Sequence, residues 1–379
     1  MTDRQPDART PSGLVVLDVT LRDGGFHNAW DFEAAHIRSY LHAMDEARVD
    51  WAEVGYRSLD RRGFAGALRY SEEAQLQELP PLTHTQLALM VDAKEFTGQE
   101  DALLRLFGRR DESRVGLVRV AARPKDLKTA SRQVELLHEL GYLTTINLMA
   151  WASLPPSERP ELLRLLASSK ADVVYIADSY GSMHPHEVRD AVSLWRTLTE
   201  RPFGVHLHNN LELAFANALA AMDVGATWID SSVLGMGRGP GNLKTELLLQ
   251  HLETRERHPT YRTGPIYELI GQTWEALKLR YGWGPRAPYI LSGHLAVHPT
   301  YAQELLESGR YAVPEVTAIL HTLHQAGAGR SFSRQALDDA ISSRPTRMPT
   351  RRSARPEPAP SAGPTGQSSR PSERGLTQF

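Results

Sequence analysis

Residues 17–28 read LDVTLRDGGFHN, and the fold is decided by how this stretch is read. The β-forming run Leu14, Val15, Val16, Leu17 and Val19 breaks into Thr20-Leu21-Arg22-Asp23-Gly24-Gly25. That is the pattern of a buried strand ending in a polar loop whose glycines let the backbone turn tightly. An arginine beside an aspartate at the end of an apolar strand also suits an ordinary strand-to-helix turn with a self-neutralising pair. Two distant segments give it more meaning: GVHLHNN at 204–210 and GMGRGPGNLKT at 235–245.

Outward from the opening strand, Phe32, Ala35, Ile37, Tyr40, Leu41 and Met44 make one apolar face and predict a helix over 31–48. Short apolar runs predict strands at 51–56, 85–91, 115–121, 143–149, 172–177, 203–208 and 227–233. Between and after them, helical patterns cover 99–107, 124–140, 156–169, 185–200, 211–224 and 242–253, while the Arg- and Gly-rich 57–70 reads as a loop. Eight strand–helix units in a row predict a closed (β/α)8 TIM barrel rather than an open sheet. A doubly wound fold is disfavoured because no GxGxxG loop follows the first strand. Beyond 253 the strand rhythm stops and helices are expected at 266–279, 300–307, 314–325 and 333–342. The expected organisation is a flexible N-terminus at 1–13, a barrel at 14–255, a C-terminal helical region at 256–343 and a disordered tail at 344–379. The tail carries seven Arg against two Glu with many Pro and Ser, too little apolar surface to offset chain entropy.

The whole chain of 379 residues is long enough for one large α/β domain with an appendage, and its net charge is −2. Mixed charges in the folded part argue against a nucleic-acid groove, and no window is apolar enough to span a membrane. The absence of cysteine excludes disulfides, zinc–thiolate sites and thiol nucleophiles. With no apolar leader visible, a cytoplasmic enzyme or binding protein is the expectation.

In such a barrel the working residues lie at the C-terminal ends of the strands. Arg22 and Asp23 follow strand one, His206 and His208 end strand seven on the same side, and Asn242 follows strand eight. Closure makes strands seven, eight and one neighbours, so Asp23, His206, His208 and Asn242 can meet at one point. One carboxylate, two imidazoles and an amide oxygen suit a divalent cation such as Mn²⁺, Mg²⁺, Co²⁺ or Zn²⁺, with positions left open for substrate. His-x-His alone equally describes two hydrogen-bonded barrel histidines; its companion motifs favour the metal. Asp178 and Ser179, at the end of strand six, are candidate substrate contacts or parts of a helix-capping loop. Arg57, after strand two, is a candidate partner for a substrate carboxylate or a loop charge.

LDVTLRDGG, GVHLHNN and GMGRGPGN together resemble the metal-dependent aldolase/lyase superfamily of TIM barrels. That group includes 4-hydroxy-2-oxovalerate aldolases, hydroxymethylglutaryl-CoA lyase and isopropylmalate synthase. The resemblance, over residues 14–311, implies Asp23, His206 and His208 as metal ligands, Asn242 as the completing amide, and Arg22 as the group that stabilises an enolate. The acyl-CoA synthases follow RDG with Glu-Gln, where this chain has Gly25-Phe26. Related carboxyltransferases carry a Lys-Asp pair where this chain has Ala177-Asp178. The 4-hydroxy-2-oxovalerate aldolases have a base histidine that His27 matches with one residue inserted, and a C-terminal tyrosine where His298 stands. The resemblance thus implies a divalent-metal-dependent aldolase joining or cleaving a 2-oxo acid such as pyruvate and an aldehyde, with His27 and His298 as candidate catalytic groups. It leaves two alternatives, a Claisen-type acyl-CoA enzyme and a non-catalytic barrel used as scaffold. Candidate partners are a second copy of the chain and an acylating aldehyde dehydrogenase.

Overall fold

Eight parallel strands pair in chain order, and the eighth closes on the first. They are β1 (Val15–Asp18), β2 (Trp51–Tyr56), β3 (Gln86–Asp92), β4 (Val115–Ala122), β5 (Leu143–Leu148), β6 (Val173–Asp178), β7 (Phe203–Leu207) and β8 (Trp228–Ser231). The computed structural model describes residues 13–255 and 260–343. The expected N-terminal segment, apart from Gly13, and the expected disordered tail lie outside the described residues. Among the described residues no helix is long and apolar enough to cross a membrane.

The sequence expectation of a (β/α)8 barrel holds, and the side-chain alternation of parallel strands explains how its interior is layered. At the floor Trp51, Leu117, Val173, Tyr175 and Trp228 form an apolar cluster, with Trp51 stacked on Trp228 at 6.3 Å. Gly204 leaves room for the Tyr175 ring, since a Cβ there would fall 2.5 Å from it. Two residues further along β2, β4 and β8 stand Glu53, Arg119 and Asp230, all buried. Arg119 donates to Glu53 Oε2 at 3.1 Å and to Asp230 Oδ2 at 2.6 Å, and its guanidinium lies over the Tyr175 ring. This charged layer is the platform on which the site stands.

The outer helices bury one face each; α2 (Ala34–Ala47) contributes Ile37, Tyr40, Leu41 and Met44 to the main core. A continuous helical run, Gly264–Leu269, Ile270–Trp274 with π-type bonding and Glu275–Tyr281, joins that same core through Ile266, Leu269, Ile270, Trp274 and Leu277. The helices Ala287–His294, Pro299–Glu307, Val313–Gln325 and Arg334–Ser342 close over a separate cluster that includes Tyr301, Ile319, Leu320 and Leu337. The first of these was not expected from sequence, because its apolar run PYIL carries no helical period.

The opening stretch departs from its expected form. Thr20–Gly24 is a helical turn, α1, followed by a 3₁₀ turn at Gly25–His27. Gly24 and Gly25 have φ of −66° and −56°, ordinary helical values. Their small size is needed for close approach: a Cβ on Gly25 would meet the Trp30 ring at 2.1 Å, and one on Gly24 the Met236 side chain at 2.7 Å.

Candidate active site and metal centre

At the C-terminal rim of β1 and β7, ligand atoms of Asp23, His206 and His208 lie within 4.8 Å of one another, all three residues buried. The α1 turn packs against β2 and aims Arg22 and Asp23 inward. Arg22 Nη1 donates to Asp23 Oδ1 at 2.6 Å and its Nε to Glu53 Oε2 at 2.6 Å. The Trp30 indole N–H donates to the Arg22 carbonyl at 2.8 Å and fixes the turn. His206 Nδ1 is bonded to Asp230 Oδ2 at 2.9 Å, which leaves Nε2 as the nitrogen free to coordinate a metal. Asn242 sits where a bridge ties it to His208; its amide N–H donates to Asp23 Oδ2 at 2.8 Å.

This set fits a divalent cation. The Asn242 Oδ1 and His208 Nδ1 atoms are buried without a partner, an arrangement that costs free energy unless something else satisfies them. Gly237 keeps the space beside them open, because a Cβ there would sit 2.4 Å from Asn242 Nδ2 and 2.6 Å from Asp23 Oδ2. Burial pushes the Asp23 carboxyl up, but Arg22, His208, His206 and Arg238 together pull it well below the usual carboxylate range. Burial also holds His208 well below its ordinary value. An ionised carboxylate and a neutral imidazole are the forms that coordinate a metal.

The centre opens into a cavity of about 500 Å³. Arg22, Asp23, Ser179, His206, His208, Arg238 and His298 are on its wall. His298 caps the Pro299–Glu307 helix, its Nδ1 accepting from Thr300 N–H at 3.4 Å, so its proton is on Nε2. Burial, with the fields of Arg238 and Arg123, pushes it down to about 3. His27 lies off the cavity wall, its Nε2 bonded to the Gly237 carbonyl at 2.7 Å and its ring 5.8 Å from Trp283. A carbonyl only accepts, so Nε2 carries the proton and Nδ1 keeps its lone pair. Burial lowers its pKa, partly offset by the Gly237 carbonyl and Asp23.

Two candidate substrate contacts are engaged elsewhere. Arg57 is buried, paired with Glu73 at 2.7 Å and donating to the Ser71 and Leu106 carbonyls. Asp178 accepts from Ser182 and Met183 N–H at 3.1 and 2.9 Å and holds the loop after β6. Burial pushes its carboxyl up to about 6 against those bonds. Ser179 does reach the cavity, though its hydroxyl accepts from Ala150 N–H at 2.9 Å. Sequence reasoning left Glu53, Arg119, Asp230 and Arg238 without a role. A lone charge inside each of the apolar runs WAEVGY, VGLVRVA and TWIDS, and one inside the glycine-rich GMGRGPGN, was the available signal.

Residues 14–271 match the HMGL-like family. The chain is 34% identical to a 4-hydroxy-2-oxovalerate aldolase of Geobacillus genomosp. 3 over 239 residues, 62% of this chain and 68% of that protein. It is 29% identical to the Thermus thermophilus protein of the same name over 336 residues, 86% of this chain and 93% of that one. Among solved structures, the N-terminal domain of a candidate aldolase from Bacteroides vulgatus superposes with a TM-score of 0.70 at 30% identity, covering 79% of this chain and 98% of that domain. The carboxyl transferase domain of Rhizobium etli pyruvate carboxylase shares the fold, with a TM-score of 0.63 at 17% identity over 87% of this chain and 60% of that one. The barrel, its three motifs and these likenesses agree: the chain belongs to the HMGL-like family.

Proposed function

We propose that the protein is a divalent-metal-dependent aldolase that makes or cleaves a carbon–carbon bond between a 2-oxo acid, pyruvate or a near relative, and an aldehyde. The observation that carries this reading is the meeting of Asp23, His206 and His208 beside the Arg22 guanidinium at one cavity. Relatives named 4-hydroxy-2-oxovalerate aldolase favour it over an acyl-CoA condensation. Asp23, His206 and His208, with the Asn242 amide oxygen, would hold the ion; Mn²⁺ or Mg²⁺ suits this mixed O/N set best, with Co²⁺ or Zn²⁺ as alternatives. Bound there, it would supply Lewis acidity to the carboxylate and carbonyl oxygens of the 2-oxo acid and so acidify C3.

The chain's own groups do the rest. Arg22, held by Asp23 and Glu53, donates to the oxygen on which enolate charge develops. His27, neutral and with its Nδ1 lone pair free, is the base assigned to the C3 proton, although the ring lies behind the cavity wall. His298 is too weak a base for that task; its Nε2–H instead donates to the aldehyde oxygen. In the bond-making direction, one proton leaves C3, the enolate carbon attacks the aldehyde carbon, and the new alkoxide takes up one proton from solvent. With this reading go a cytoplasmic location and, as candidate partners, a second copy of the chain and an aldehyde dehydrogenase. A screen of 4-hydroxy-2-oxo acids for pyruvate release, with and without added Mn²⁺, tests the reading. Metal-dependent release is expected; no release from any member would count against it.

A further inference from the structure

Arg238 stands out among the charges of the cavity. Most of those charges are already matched: Arg22 with Asp23 and Glu53, Arg62 with Asp60, Lys94 with Asp92, and Arg69 with Glu95. No carboxylate among the described residues lies within ion-pair distance of Arg238. Its Nε is shielded from solvent and has no partner, and its one hydrogen bond is a long one, 3.5 Å, from Nη2 to the Ser179 carbonyl. The Phe26 ring lies 5.8 Å from the guanidinium. A half-buried cation with an orphaned donor, held on a cavity wall, is expensive unless an anion joins it.

The charge count around the centre says where that anion belongs. The inner layer holds Arg22 and Arg119 against Asp23, Glu53 and Asp230, a net of one negative charge. A divalent cation and one 2-oxo carboxylate bring this to zero. Arg238 is then one positive charge over. It lies close enough to act on both Asp23 and His298, between the centre and the His298 cap. Arg123, which also acts on His298 and has no carboxylate partner among the described residues, is exposed at the cavity rim. Among the described residues of the lining, Asp126 at the same rim is the one carboxylate without a salt-bridge partner.

Resting on the aldolase reading above, we propose that the aldehyde substrate carries its own anionic group, a carboxylate or phosphate, which Arg238 recognises with Arg123 behind it. The fork of the guanidinium offers two parallel N–H donors to either oxyanion. Two pairs of aldehydes separate the sources: 4-oxobutanoate against butanal, and glyceraldehyde 3-phosphate against glyceraldehyde, each condensed with pyruvate. The wild type is expected to prefer the charged member of at least one pair by about 10- to 100-fold in kcat/KM, the scale of a charge-assisted bond. That pair names the anion. Arg238→Gln should erase most of the preference through the aldehyde KM, Arg238→Lys should keep part of it, and Arg123→Gln should reduce it less. Isothermal titration with succinate and with inorganic phosphate needs no turnover and should show the same order of variants. Equal use of charged and neutral aldehydes, or a preference that survives Arg238→Gln, overturns the proposal. So does a rise in the pyruvate KM in place of the aldehyde KM, which would assign Arg238 to the 2-oxo acid. Exchange of pyruvate protons without aldehyde would show the aldolase reading still standing after any of these failures.

Discussion

At the scale of single residues, Arg22, Asp23, His206 and Asn242 are each fixed by a partner. His206 is held through Nδ1 by Asp230, Asp230 by Arg119, and Arg119 by Glu53, which in turn holds Arg22. The same buried chain of charges therefore orients the His206 imidazole and the Arg22 guanidinium, the groups proposed to bind the metal and to stabilise the enolate. Asp23→Asn and His208→Ala should each lower metal affinity by more than the 10- to 100-fold typical of losing an outer partner. Elemental analysis of chelator-free preparations reads this, and stoichiometric metal in both variants would refute the ligand set. His298 makes a separate prediction about acid. Its folded value is about 3, against about 6.5 when unfolded. Between those values the unfolded chain binds a proton that the folded one does not, so native stability falls as pH drops through that window. Melting curves of His298→Gln should be flatter than wild type from pH 6.5 to 4; parallel curves would remove His298 from the account. The meeting of Asp23, His206, His208 and Asn242 at one point was legible because their motifs are local. Arg57 was misplaced because nothing in the sequence shows that Glu73 and two carbonyls already surround it.

At the scale of elements, strands were legible because each is a short apolar run between polar turns, and most observed bounds fall within two residues of those expected. The α1 turn was not. Two glycines after Arg-Asp suggested turning freedom, whereas their helical φ values and the nearby Trp30 and Met236 side chains show that they are there for space. Sequence distinguishes these reasons poorly, since both ask only for a missing Cβ. The same contrast separates two other glycines. On Gly55 a Cβ would fall 1.9 Å from the Leu68 carbonyl oxygen, whereas helical Gly271 has nothing within 4 Å. Gly55→Ala should destabilise the fold by about 1–3 kcal/mol through overpacking. Gly271→Ala should stabilise it by up to about 1 kcal/mol through helix propensity. Urea unfolding checks both signs.

At the scale of the whole molecule, closure turns separate motifs into a site. Asp23 and Asn242 are 219 residues apart in sequence and 2.8 Å apart in space, because β8 pairs with β1. Eight strand–helix units made that closure legible, and closure made the meeting of Asp23, His206, His208 and Asn242 legible with it. The charges around the centre were not, because Arg238 and Arg123 reach the cavity from a loop and a strand end with no shared period. The central claim is that this centre enolises a 2-oxo acid without needing an aldehyde. The most direct measurement is proton NMR of pyruvate and 2-oxobutyrate with the metal-loaded protein in D₂O. Metal-dependent exchange of the C3 protons is expected, slowed on the order of 10²–10³ by Arg22→Ala. No exchange with any 2-oxo acid, alongside exchange of an acyl-CoA methyl group, would contradict the account.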